Sequence, residues 1–531
     1  MTAPTLQADR GVRSSPRPSR IRVFGVSWLL LALLMIGWAV ATPLAASPDE
    51  PAHMVKAASV ARGQLVGEPS TQGHVVQVPR YVANTHNLTC FAFHPDTSAD
   101  CSPAVVGNPA ELVDGTTTAG LYNPVYYALV GWPTLLFADA SGLYAMRIVS
   151  AILCSFFLAL TVMLAFSWRV NTLALAGVAI AIPPMLFFLG GSVNPNAVET
   201  SATLAVFAAM LAIVTQPSKT LMVERSLIVL VGSAVAANTR GLSPLWVALA
   251  IGVPLMLTSA AQLRDLAKST VVRWTALGTA LTTAFAGFWL MVSNSLAAAL
   301  TSSESSKHVP GTGASALSGF LSTVNDTFRY AQDMIGNFGW LDTPATPGTV
   351  FIWTALVGAL FCATLIVLRG RDLAVSFTLG ALFVLLPALI QGAYITGGGI
   401  IWQGRYSLPL FAMLIFGTAA LLSERITNDL WPFFPRLSVL VWVAWGIGQL
   451  DSFTTSLKRY AVGAQGTWRE LFLSPQWHPP GGVALSLVFF TLVTIACVLC
   501  LQRLTRHQVD LGSEERASAL SIRGRIPSVG V

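Results

Sequence analysis

Residues 23–53 read VFGVSWLLLALLMIGWAVATPLAASPDEPAH. The run 23–44 carries no charge and is long enough to cross a bilayer as one helix. Just beyond it stand Asp49 and Glu50. Uncompensated acids so close to hydrocarbon are expensive and concentrate at working sites. Pro48 and Pro51 bracket the pair and prevent a helix from running through it. Asp49 also occupies the N-cap position of a helix starting near Pro51, so capping competes with chemistry as its reason for being there.

The same character continues along the chain. Of its 531 residues 54% are hydrophobic and 10% charged, against about 25% charged in soluble proteins. Lipid therefore solvates most of it. The net charge of +7 falls in tails and short loops between apolar stretches, which marks topology rather than a nucleic-acid surface. Apolar spans are predicted at 23–44, 143–167, 172–192, 197–216, 223–239, 242–259, 271–294, 349–368, 373–395, 407–423, 435–452 and 481–501, about twelve transmembrane helices. The first exceeds the 7–15 residues of a signal-peptide core and is read as a retained anchor. Residues 121–138 are barely long enough to span and contain Pro124 and Pro133. Read as a juxtamembrane helix, they leave Arg169, Lys219, Arg225, Arg264, Lys268, Arg369 and Arg371 on the side of both tails, as the positive-inside bias requires.

The expectation is thus an all-α integral protein of the plasma membrane with both termini cytoplasmic. Basic tails at 1–22 and 502–531 flank a membrane domain at 23–501. Extracytoplasmic loops fall at 45–142, with its juxtamembrane helices, at 295–348, and, shorter, at 396–406 and 453–480. Cys90 and Cys101 share the first loop, where an oxidising compartment favours a disulfide between them. Cys497 and Cys500 lie within an apolar span and read as packing.

Asp49 is the first candidate for a general base, with Glu50 its neighbour. His53 and Lys56 follow on the same helical side, placed to tune the acids or touch an anion. In the run 397–410, glycines allow close backbone approach and Arg405 offers a bidentate fork, so Arg405, with Gln403 and Tyr406, is the preferred phosphate ligand. Lys458 and Arg459 form a second cationic pair. Arg147 and Arg240 flank other helix ends and read as headgroup anchors. Asn194, Asn196 and Glu199 turn between two spans, where caps compete with a role in the Asp49 cavity. Trp340 is placed to stack on a sugar face and Asp342 to accept its hydroxyls. The spacings of His74, His86 and His94 match no metal motif, and a divalent cation stays an open possibility.

Six motifs occur in order: Ser-Pro-Asp-Glu-Pro-Ala-His (47–53), Tyr-Asn-Pro-Val-Tyr-Tyr (122–127), Met-Arg-Ile-Val-Ser (146–150), Ser-Val-Asn-Pro-Asn-Ala (192–197), Phe-Gly-Trp-Leu-Asp-Thr (338–343) and Gln-Gly-Arg-Tyr-Ser-Leu-Pro (403–409). Together they resemble a bacterial, actinobacterial-type family of multi-pass membrane proteins grouped with the GT-C glycosyltransferases. The resemblance implies an extracytoplasmic site, inverting transfer from a polyprenyl-phosphate-linked sugar donor, and an envelope polysaccharide or lipid as acceptor, with Asp49 in the catalytic position. Where such enzymes often carry another acid, this sequence has Asn194 and Asn196, with Glu199 a turn later. A transporter or flippase of lipid-linked envelope precursors is the alternative, and would show repeats and interrupted helices at mid-membrane. A polytopic scaffold whose acids are structural is a third possibility.

Overall fold

The computed structural model describes residues 18–71, 73–106, 111–168, 170–293, 309–426 and 434–523. Most of the tail 1–22, the start of the loop 295–348 and the last residues of the tail 502–531 lie outside them. Within them the fold is helical, and each of the twelve expected spans coincides with helix. Among the described residues eight helices are long and apolar enough to cross a membrane, or nine if one bent pair counts as a single span. The shortfall from twelve has local causes. Met222–Ala236 and Ser243–Leu255 have 15 and 13 residues, or about 22 and 20 Å against a hydrocarbon core of about 30 Å. Phe434–Val462 is long but carries Gln449, Asp451, Lys458 and Arg459 in its second half.

The bent pair is Asn171–Ala181 and Pro184–Gly190, turned by 63°. Pro183 and Pro184 lack the N–H groups that would continue the ladder. The carbonyls left near the break find side chains: Trp353 Nε1 donates to Ile180 at 3.0 Å and Gln449 Nε2 to Ile182 at 3.3 Å. The interruption is sealed inside protein, as membrane burial demands.

Pro195–Thr215 is the central pillar, with its apolar stretch wholly buried, whereas those of Thr270–Val292 and Pro347–Val367 are only 11% buried and face lipid. The first helix, Arg20–Ala41, packs along Ala140–Ala165 and against the last helix, Gly482–Arg523. Trp38, 1% exposed, meets the rings of Phe188, Phe338 and Phe453 near its end. Arg20 pairs with Glu224 and Ser167, and Asn171 donates to the Leu504 carbonyl. Both ends of the membrane domain therefore gather on the face opposite Asp49. The final helix continues to Arg523, so the expected C-terminal tail is largely helical.

Segment 121–138 forms a helix of eight residues, Pro124–Gly131, and a short 3-10 turn, Trp132–Leu135. It lies against the helix Glu50–Ala61. The loop around it also holds a small antiparallel sheet that sequence reading missed: β1 (Glu68–Ser70), β2 (Gly73–Pro79) and β3 (Leu112–Thr117), in the order β1-β2-β3. Cys90 and Cys101 are bonded to each other in that loop. A second pair of two-residue strands, β4 (Asn337–Phe338) and β5 (Thr343–Pro344), carries Trp340 and Asp342 in its turn.

Candidate functional site

The turn after the first helix is set by the acid that sequence reading placed beside Asp49. Glu50 is fully buried and bonded in a fork to Arg147, with Nε to Oε1 at 2.7 Å and Nη2 to Oε2 at 2.6 Å. Arg147 spends its remaining donors on the carbonyls of Ala39, Thr42 and Pro43 at 2.6–2.9 Å, closing the C-terminal end of the first helix. All five of its N–H groups are used. Glu50 Oε1 also accepts the Val193 N–H at 2.9 Å, and Asn194 Nδ2 donates to the Pro48 carbonyl. Gly191 lets this second turn touch the first helix, because a Cβ there would lie 2.7 Å from the Met35 carbonyl. Glu50 is thus a buried anchor whose carboxylate accepts three hydrogen bonds, two of them from Arg147. Arg147 is a core clamp, not a headgroup anchor.

Asp49 differs in every respect. Its backbone is left-handed (φ 64°, ψ 0°), a conformation that Asp and Asn adopt more readily than most residues. Although it stands at the N-cap position, its side chain makes no capping bond. The carboxylate is half exposed, and Oδ2 accepts from Arg405 Nη2 at 2.6 Å. The capping explanation for this acid therefore fails.

Arg405 arrives from the other end of the chain. It lies in the 3-10 turn Gly404–Ser407, before the helix Leu408–Arg425. Gly404 makes this approach possible: a Cβ would fall 2.4 Å from the Tyr330 carbonyl. The Arg405 side chain is 1% exposed, yet Nε and Nη1 have no hydrogen-bond partner. Buried donors are nearly always satisfied, so two unpartnered nitrogens with three N–H groups between them leave this buried cation free to receive an anion. Tyr406 stands next to it, and Gln403 precedes the turn with a buried, unpartnered Oε1.

Arg240 completes the cluster. Its guanidinium lies over the Tyr406 ring at 4.5 Å, while that of Arg405 lies at 5.2 Å. Arg240 bonds Asn196 Oδ1 and lies beside the Tyr122 hydroxyl. Asn196 therefore orients a cation. Asn194 caps Pro195–Thr215, and Glu199 accepts from Ser243 at the start of the helix Ser243–Leu255. Sequence reading left Arg240 and Tyr122 outside the site because a lone arginine at a helix end looks the same whether it meets lipid or a cavity.

His53 is buried, with Nδ1 2.9 Å from the Tyr127 hydroxyl. Burial pushes it down to about 3; Asp49 opposes the shift while Arg240 and Arg405 add to it. It is therefore neutral near pH 7 and adds no charge to the Arg405–Arg240 cluster. Lys56 is also buried, donating to the Leu65 and Gly120 carbonyls at 2.6 Å each, with burial lowering it to about 8. It ties backbone together rather than meeting the cavity.

The remaining candidates serve the loops. Arg459 is 2% exposed and donates to the carbonyls of Phe91, His94 and Thr97 and to Asp342. It clamps the disulfide loop to the β4–β5 turn and is not part of the Arg405 cluster. Lys458 donates to the Ala464 carbonyl and lies over Trp468. Asp342 accepts from the Phe93 N–H as well as Arg459, which fills the role assigned to a sugar hydroxyl. Trp340 Nε1 donates to the Ala45 carbonyl at 3.0 Å and its ring meets Phe93 edge-on, so it braces the Asp49 turn. Among the described residues no three His, Cys, Asp or Glu side chains converge as a metal site.

A family model described as a predicted membrane protein, DUF2142, matches residues 31–414. The chain belongs to the DUF2142 family. The matched region contains Asp49, Glu50, Arg147, Asn196, Arg240 and Arg405, so both the anchor and the cation cluster fall within the DUF2142 region. No curated protein matches the chain. Among solved structures, ArnT from Cupriavidus metallidurans bound to undecaprenyl phosphate is similar at 13% identity and a TM-score of 0.42, over 96% of this chain and 81% of that one.

Proposed function

We propose that this DUF2142 protein is an inverting membrane glycosyltransferase of the GT-C type, working on the extracytoplasmic face with a polyprenyl-phosphate sugar as donor. One observation carries the reading: a buried arginine, Arg405, holds the half-exposed Asp49 with one nitrogen and leaves two donors open. A base and a phosphate ligand stand side by side at the membrane edge. The acceptor hydroxyl attacks the anomeric carbon, its proton passes to Asp49, and the bond from that carbon to the phosphate oxygen breaks. The electron pair leaves with the carrier phosphate, whose charge Arg405 and Arg240 stabilise. The ordered motifs of the sequence support the same reading, and the acceptor is an envelope polysaccharide or lipid.

The test is transfer of labelled sugar from polyprenyl-phosphate donors by membranes containing matched amounts of each variant. Asp49→Asn preserves shape and tolerates the left-handed backbone, so it should lose about 10²–10⁴-fold in rate while the protein accumulates normally. Arg405→Lys keeps charge without the fork and should also lower transfer. Full activity of Asp49→Asn would remove Asp49 as base. The bent pair of helices is a feature a transporter would share, but carbonyls near its break are filled by Trp353 and Gln449. Movement of a lipid-linked substrate without sugar transfer would establish that second reading.

A further inference from the structure

The helix Phe434–Val462 carries six polar side chains at the spacing of one helical face: Trp442, Trp445, Gln449, Ser452, Ser456 and Arg459. None is more than 3% exposed, and each has a polar atom without a hydrogen-bond partner. These atoms are Nε1 of both tryptophans, Oε1 of the glutamine, Oγ of both serines and Nε of the arginine. The other faces of the helix are accounted for. Phe453 stacks on Phe490 of the last helix at 3.9 Å, and Asp451 accepts from Thr346 and Thr349 at the start of Pro347–Val367. The polar face meets the bent pair instead: Gln449 Nε2 donates to the Ile182 carbonyl, and the Trp445 ring meets that of Phe187. Buried hydroxyls elsewhere in the bundle bond the carbonyl one turn back, as Thr494 does to Phe490 at 2.8 Å and Ser201 to Ala197 at 2.7 Å. Ser452 and Ser456 do not.

We infer that a file of ordered waters runs along this face and bonds the six side chains to one another beside the break in the bent pair. Side chains three or four residues apart on a helix lie about 5–6 Å from each other. That is the span of one water making two hydrogen bonds of about 2.8 Å. One water in each gap makes a row of about five. From Trp442 to Arg459 the row rises about 25 Å in a hydrocarbon core of about 30 Å. Trp445 and Ile182 share a cavity of about 50 Å³, and one water needs about 10–15 Å³ of such space. The chemistry selects water over a metal cation. A cation needs oxygens that converge, whereas this row is linear and includes N–H donors that only an acceptor can satisfy. Water donates and accepts, so it serves the tryptophans, the glutamine oxygen and the serines in turn. Both ends are closed, by buried Trp442 at one and by the Arg459 clamp at the other, so the file is sealed and is not a pore. Its waters supply hydrogen bonds that lipid cannot offer beside an interrupted helix.

The experiment is X-ray radiolysis of the full chain in phosphatidylcholine nanodiscs in choline chloride buffer, with oxidised peptides read by mass spectrometry. Hydroxyl radicals formed from a bound water attack the side chain next to it, so a buried residue is oxidised only where water is held. Trp442 and Trp445 should oxidise. Trp353, as buried as Trp442 but with its Nε1 bonded to the Ile180 carbonyl, should not. Gln449→Leu is of similar size and removes the acceptor between Trp445 and Ser452. It should cut oxidation of Trp445 about tenfold, the equivalent of about 1.4 kcal/mol or one hydrogen bond. Trp442 and Trp445 as unreactive as Trp353, all three oxidised alike, or Trp445 unchanged in Gln449→Leu overturns the inference. Loss of oxidation on adding sodium chloride overturns it too, because a cation would then occupy the row. The contrast between Trp442 and Trp353 in the unaltered chain decides the matter even where Gln449→Leu fails to fold.

Discussion

At the scale of single residues, two neighbouring carboxylates have opposite fates. Asp49 is half exposed on a buried arginine, while Glu50 is fully buried in a fork with Arg147. The sequence announced the pair but could not divide its labour, because partners 97 and 356 positions away decide it. His53 makes a pH-dependent prediction. Its folded value is about 3 against an ordinary 6.5, so between these values the unfolded chain binds a proton that the folded chain does not. Stability contributed by neutral His53 is present above pH 6.5 and is lost as pH falls toward 3, at up to about 1.4 kcal/mol per pH unit. Thermal unfolding in detergent should show a melting temperature that drops between pH 7 and 4.5. His53→Gln, which keeps a partner for Tyr127, should flatten part of that drop. An unchanged slope would mean that His53 is protonated in the folded protein.

At the scale of elements, the site is a junction of helix ends. The first helix ends at Thr42, Pro195–Thr215 begins after Asn194, and the Gly404–Ser407 turn enters the helix Leu408–Arg425. The Glu50–Arg147 pair fastens the first two through the carbonyls of residues 39–43 and the Val193 N–H. Removing one member leaves a buried charge without its partner, which costs about 3–5 kcal/mol. Glu50→Gln should therefore lower the unfolding midpoint strongly. The double variant Glu50→Gln, Arg147→Met should recover part of the loss, since no lone cation then remains. Equal destabilisation by both would show that the pair is not the source of the cost. The spans themselves were legible because a run such as 23–44 needs only apolar length. The three-stranded sheet was not: β1 has three residues, and its pairing with β2 is a nonlocal property that no short window displays. The three segments short of spanning were legible as apolar, but their true helix lengths depend on where Pro254 and the polar half of Phe434–Val462 fall against neighbours.

At the scale of the whole molecule, the chain brings distant turns to one face. Trp340 reaches the Ala45 carbonyl, Tyr460 lies against that of Ala46, and Arg459 ties the disulfide loop to Asp342. The β4–β5 turn, the disulfide loop and the end of the helix Phe434–Val462 thus brace the segment that ends in Asp49. Sequence reading took Trp340, Asp342 and Arg459 as substrate contacts because exposed-loop aromatics and charges look alike whether they bind ligand or one another. Arg405, in contrast, was legible from its glycine-rich approach, and its open donors are what the fold adds. On the proposed function, these donors receive the donor lipid's phosphate beside Asp49. A cryo-electron microscopy structure of the full chain with a non-hydrolysable polyprenyl-phosphate sugar analogue measures this directly. Phosphate oxygens are expected within about 3 Å of Arg405 Nε or Nη1, with the anomeric carbon turned toward Asp49. Phosphate density at a cation outside the Arg405–Arg240 cluster, with the Asp49–Arg405 pair unchanged, would rule it out.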